Sequence, residues 1–220
     1  MNLMSLSVKK SALAVIVCSI LGSVVPAMAD VGNPSLPVGG TSVSALTMHV
    51  VGVITNSTCN IRPYTAGGAD ATTLNLGVVV KGSTSVSPVS FFLKPENGCT
   101  DGIISAAGGK QGSTQAQITW ESNGLTEHGI SNMYGTAKNV HIVLSPVEGD
   151  GTTTAKIDSG GVGNGDAIKT GSQTVNYKAL ANGSSANAFK YEVKLAKNDD
   201  ATDMGAGTVD TDISYTVAYL

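Results

Sequence analysis

The stretch GTVDTDISYTVAYL, Gly207 to Leu220, decides how the rest of the chain is read. Val209, Thr211, Ile213, Tyr215, Val217 and Tyr219 fall on every second position, with Asp210, Asp212, Ser214, Thr216 and Ala218 between them. A period of two predicts a strand with one buried and one wet face. Terminal residues of a domain usually fray in solvent. An amphipathic strand with a penultimate aromatic residue needs something to cover its apolar side.

The rest of the chain repeats the pattern. TMHVVGVIT (47–55), TTLNLGVVV (72–80), VSPVSFFLK (86–94), AQITWES (116–122), KNVHIVLSP (138–146), QTVNYKAL (173–180) and FKYEVKLAK (189–197) read as short strands. Phe189, Tyr191, Val193 and Leu195 alternate with Lys190, Glu192, Lys194 and Ala196. Ile118 and Trp120 share a parity, which favours core packing for the chain's one tryptophan; stacking on a sugar is the alternative. Turn-rich segments such as ENGCTDG, ESNGLTEHG and KNDDATDMGA separate the runs. Seven or eight strands at this spacing, with no convincing helix and no internal repeat, predict an all-β sandwich of immunoglobulin-like architecture.

The N-terminal end sets the compartment. Lys9 and Lys10 precede an apolar run from Ala12 to about Val25, followed by the small-residue triplet Ala27-Met28-Ala29. This order reads as a secretory signal peptide over 1–29, cleaved between Ala29 and Asp30. The run of ~14 residues is short of the ~20 that span a bilayer. Residues 30–46 hold two prolines and three glycines and read as a flexible extension, with the main domain over 47–220. Cleavage removes Cys18 and leaves Cys59 and Cys99. Two cysteines in an oxidising compartment are most simply a disulfide. A metal site or a redox pair is the alternative, and no histidine lies near either one. The chain carries 13 basic and 16 acidic residues, a net charge of −3, without a basic stripe, which argues against nucleic-acid binding.

Catalytic constellations are missing from the pattern. His49 and His141 lie in strand runs and His128 in a polar loop; no helical metal spacing or nucleophile elbow accompanies them. SGGVGNGDAIKTG (159–171) loosely matches a phosphate loop, but Asp166 stands where lysine is required. It also resembles one copy of a calcium-binding repeat, which needs stacked neighbours. A glycine-rich surface loop is the better reading. The sequon Asn56-Ser57-Thr58 is taken as chance. No enzyme activity and no cofactor are expected.

With Gly207 fourteenth from the end, Tyr219 penultimate and alternating apolar residues between them, the chain resembles the chaperone–usher pilins, the structural subunits of bacterial fimbriae. The cysteines in GVITNSTCNI and KPENGCTDG, the export signal and the length are similar to that family. The resemblance implies an incomplete immunoglobulin-like β-sandwich, completed in trans by a donor strand. The strand bearing Gly207, Val209, Ile213, Tyr215, Val217, Tyr219 and Leu220 would border the groove. A periplasmic chaperone would fill it first and grip the terminal carboxylate. At the outer-membrane usher, the extension of another copy would replace the chaperone strand. Counting by two back from Gly52, the donor face is Gly40, Leu46, Met48 and Val50, with Gly40 as the family's small residue; Pro37 and Gly39 offer the opposite register. The expected role is a major pilin in a head-to-tail surface fibre. The alternative is an adhesin or receptor-binding minor subunit that takes a host glycan on the loop 148–172.

Overall fold

The structure, a computed structural model, describes residues 43–54, 60–80, 87–96, 104, 114–149, 153–180 and 186–220. Eleven strands form among the described residues. They are β1 (Val43–Ile54), β2 (Ile61–Thr65), β3 (Thr73–Val80), β4 (Val89–Pro95), β5 (Gln115–Glu121) and β6 (Ile130–Ser131), then β7 (Val140–Pro146), β8 (Lys156–Ile157), β9 (Thr174–Lys178), β10 (Phe189–Lys197) and β11 (Val209–Tyr219). One sheet has the order β3-β1-β11-β5-β9-β8 and the other β2-β4-β10-β7-β6. No helix occurs among the described residues. The chain is an all-β sandwich of the immunoglobulin-like kind.

All eight runs with a period of two become strands. β1 starts at Val43, upstream of Thr47, where Ser and Ala carry no apolar signal. The strands the pattern does not show have local causes. β2 contains Pro63, which cannot donate to a ladder and is tolerated because β2 is an edge strand. β6 and β8 have two residues each, too few for a period.

Alternation places the core between the sheets. β10 buries Phe189, Tyr191, Val193 and Leu195 and turns Lys194 to solvent. From the other sheet come Ile118 and Trp120 on β5, Val175 and Tyr177 on β9, and Ile213, Tyr215 and Val217 on β11. The aromatic rings form one connected cluster. Trp120 meets Tyr191 edge-on at 4.9 Å between centroids, Phe91 stacks on Tyr191 at 5.6 Å, and Tyr177 tilts against Phe189 at 4.6 Å. Such pairs add about 0.5–1.5 kcal/mol each to the burial of their area. The polar tips of Trp120, Tyr177 and Tyr191 are also buried here, with no well-aligned hydrogen bond. That cost is set against the packing.

The long connection before β9 is tied to this frame. Asp158 and Val162 donate backbone bonds to Asn176 and Thr174 on β9, while Gly165 and Ile168 donate to Pro146 and Leu144 on β7. Val162 and Ile168 are buried beneath it. The glycine-rich segment 159–171 is thus a cover held across one end of the sandwich, with Gly160, Gly165 and Gly171 at positive φ.

Two outcomes test this packing. Trp120→Ala empties the centre of the ring cluster and is expected to lower unfolding stability by about 3–5 kcal/mol in a urea titration. Burial raises the hydroxyls of Tyr177, Tyr191 and Tyr215 above the ordinary tyrosine value. The unfolded chain ionises near pH 10 while the folded chain keeps its protons, so stability is full below about pH 10 and falls as pH rises beyond it. In an absorbance titration these three rings should ionise only together with cooperative unfolding.

Candidate functional site

β11 buries Val209, Thr211, Ile213, Tyr215 and Val217 on its inner face. One flank is paired antiparallel to β5, from Ser214↔Glu121 to Tyr219↔Ala116. The other flank is occupied by the chain's own β1, which runs parallel to β11 from Leu46↔Val209 to Ile54↔Val217. On its far side β1 pairs antiparallel with β3, from Val43↔Val80 to His49↔Thr73, with a bulge between Leu46 and Thr47. The groove expected beside β11 is therefore a slot between β3 and β11. In the single chain it is filled by the N-terminal strand itself, where the sequence predicted filling in trans.

Two residues of the face expected to act as donor fill this slot within their own chain. Met48 and Val50 are buried in the core, and the outward positions between and beyond them are the half-buried His49 and the exposed Val51. Full burial of a side chain of this size contributes about 1.5–3 kcal/mol. Leu46 lies opposite Val209 in the same register. On the outer face, His49 Nε2 lies 3.7 Å from Asp210 Oδ1 on β11, and its Nδ1 is 3.4 Å from Thr73 Oγ1 on β3. One side chain thus touches both walls.

Register is set two residues further on. Gly52 lies opposite Tyr215, and a Cβ at Gly52 would fall inside the Tyr215 ring. The ring cannot move aside freely. Its hydroxyl donates to the Ile61 carbonyl at 2.8 Å, and its face tilts against Trp120 at 5.2 Å. Only glycine fits at that point of the strand. The sequence reading assigned the donor's small residue to Gly40, which lies outside the described residues. Gly52 was the origin of that count, and its position on the same parity, directly after the apolar plugs, is the signal that could have found it. The second wall, β3, left no such signal, because strand pairing across the sequence has no local signature.

Gly207 has a separate reason to be glycine. Its φ is +146°, and a Cβ would press on the backbone of Ala137. Here the chain passes under the segment 132–137 before β11 begins. Thr208 accepts from the Ala137 amide at 2.9 Å, and the Thr208 amide donates to Thr136 Oγ1 at 3.0 Å. At the other end Tyr219 packs half-buried against the core. Leu220 is exposed, and its amide bonds to the Gln115 carbonyl at 3.0 Å.

The remaining candidates do not converge on this slot. Ala29, Asp30, Cys59 and Cys99 lie outside the described residues. His128 pairs with Asp199 at 3.3 Å, and His141 Nδ1 meets Asn198 Oδ1 at 3.0 Å, on the face away from β11. Their rings are 6.2 Å apart. Among the described residues no group of three His, Cys, Asp or Glu gathers as a metal centre. The segment 148–172 contains no aromatic residue, and its described part is tied to β7 and β9.

What the slot can do is non-covalent. It accepts one extended segment, supplies backbone partners on both edges, and takes side chains on alternate positions with a glycine at Tyr215. No family model matches the chain. It is similar to the K99 fimbrial protein of Escherichia coli, at 29% identity over 196 residues that span 86% of this chain and 94% of that protein. The sandwich and a similarity running nearly the whole length of both chains support a fimbrial subunit of the chaperone–usher kind, secreted to the surface fimbrium.

Proposed function

We propose that this subunit polymerises by exchanging β1: the strand leaves its own slot and enters that of the next copy, building a head-to-tail fibre in which the protein is the major pilin. The observation that carries this reading is that β1 fills the slot as a distinct segment, with Met48 and Val50 as plugs and Gly52 as the register pin. The same residues from another copy would satisfy the same walls.

The pairing itself is indifferent to direction. β1 is antiparallel to β3 and parallel to β11, so the two walls oppose each other. A strand entering either way forms one parallel and one antiparallel ladder, and the small stability difference between them cancels. Side-chain fit and effective concentration then decide the occupant. The chain's own strand is tethered and always near, which favours the closed monomer. A periplasmic chaperone that holds the slot open until an outer-membrane usher brings subunits together would remove that advantage. An empty slot would expose an apolar trough and an unpaired strand edge, a hazard in free solution. Exposed Leu220 leaves that end of β11 open to a chaperone contact.

The role is structural and not catalytic in this reading. The alternative, a receptor-binding subunit acting through 148–172, draws less support, since that loop is aromatic-free and braced.

A chain lacking residues 30–54 should be unstable alone and should be rescued by a synthetic peptide of residues 43–54. The rescue would appear as a detergent-resistant complex in gentle electrophoresis and a raised melting temperature. The same peptide carrying Gly52→Val should bind at least about a hundredfold more weakly, the equivalent of ~3 kcal/mol for a displaced ring. The full-length chain should give a ladder of oligomers that the truncated chain does not. A truncated chain that stayed a stable monomer and ignored the peptide would sink the exchange reading.

A further inference from the structure

Beyond strand exchange, the outer face of the same sheet carries a second feature. Val51, Tyr134 and Leu220 are the large apolar residues left exposed among the described residues, and the first two line one open cleft of about 330 Å³. Its floor is β11 at Asp212 and Ser214, with Glu121, Asn123 and Gln173 along the opposite side. That volume falls at the lower end of small-molecule sites, about 300–1,000 Å³.

Tyr134 is exposed at 59% and yet firmly held. The Asn132 side chain donates to the carbonyls of Ala137 and Thr208 at 2.9 and 3.2 Å and accepts from the amides of Gly135 and Asp210 at 3.0 and 2.9 Å. The Met133 and Tyr134 amides both donate to the Asp210 carbonyl. A Cβ at Gly135 would strike the Thr208 carbonyl, so the loop lies flat on the start of β11. The Tyr134 hydroxyl is hydrogen-bonded to Asp212, which raises it above its ordinary value. Both the ring and its tip are thereby oriented. The rim is prepared as well: the Gln173 carboxamide donates to the Trp120 carbonyl at 3.3 Å, and Ser122 Oγ donates to the Asp212 carbonyl at 2.7 Å. The Glu121 carboxylate and the Asn123 carboxamide, by contrast, make no hydrogen bond or ion pair with the described residues and are left to face the cleft.

An oriented aromatic ring beside unspent planar amide and carboxylate groups matches a polyol with one apolar face, which stacks on the ring and offers hydroxyls to the rim. Among the described residues no lysine, arginine or histidine lines the cleft, and the charged groups an anionic sugar would meet there are Glu121 and Asp212. We infer that this cleft between Tyr134 and Glu121–Asn123 is a binding site for a neutral saccharide, distinct from the loop 148–172. Tyr134, Glu121 and Asn123 lie outside β1, and after strand exchange the incoming β1 would supply Val51 at the same position, so the site stands whether or not the chain polymerises.

The test uses the monomer fraction of the full-length exported chain, separated from oligomers by size-exclusion chromatography. Saturation-transfer NMR would be run with lactose, N-acetyllactosamine and methyl mannoside as neutral probes, and with sialyl-lactose as the anionic control. At least one neutral probe should receive saturation. Tyr134→Ala should weaken it by about tenfold or more with an unchanged melting temperature, because the ring is exposed. Tyr134→Phe should retain the stacking and most of the binding, and Asn123→Ala should weaken it several-fold. Binding that Tyr134→Ala leaves intact, preference for sialyl-lactose, or no transfer from any neutral probe would each overturn the inference. So would a cleft that holds only a cationic peptide in a salt-sensitive way.

Discussion

The structure depends on one contact, the ring of Tyr215 lying over the bare Cα of Gly52. Tyr215 is anchored from behind by Trp120 and at its tip by the Ile61 carbonyl. It therefore reads β1 as a fixed gauge. A strand that places glycine there also places Val50 and Met48 in the core and His49 between both walls. A slip by one residue would turn all of these side chains to the wrong face. Register, core completion and closure of the sheet thus hang on one glycine–aromatic pair.

The same geometry divides the molecule into a frame and a single strand, β1, that packs along one side of it. The ring cluster of Phe91, Trp120, Tyr177, Phe189 and Tyr191 joins the two sheets without help from β1, and the long connection before β9 is tied to that cluster's strands. β1 adds apolar plugs along one side. This division suits the proposed exchange, in which the frame would keep its shape while one strand position changes hands. The outward side of β1 and β11 stays wet throughout, which leaves room for the Tyr134 cleft on a surface the slot does not consume.

Much of the fold was legible from residue spacing. The period of two in 189–197 and 209–219 has a direct physical cause, since side chains of a strand point alternately to core and solvent. Trp120 was placed in the core by its parity with Ile118, and it is fully buried. Pro63 hid β2 from the same reasoning, because proline speaks against a strand until the strand is known to lie at an edge. Of the slot residues, Met48 and Val50 were visible as apolar positions on one face. The significance of Gly52 was not, because a glycine gains meaning only from the ring packed against it, and Tyr215 is far away in sequence.

What the sequence by itself determined was the class of the protein: an all-β, turn-rich chain whose final run needs an apolar partner, with a candidate partner near the other end. Alternation, composition and turn chemistry are local properties, and they survive being read one residue after another. Only the tertiary structure decided that β3 is the second wall, that β1 enters parallel to β11, and that Tyr134 is held out over a polar cleft. Each of these joins residues many positions apart through backbone pairing or ring packing. Such contacts depend on how the sheets close in space, and the order of residues alone does not specify them.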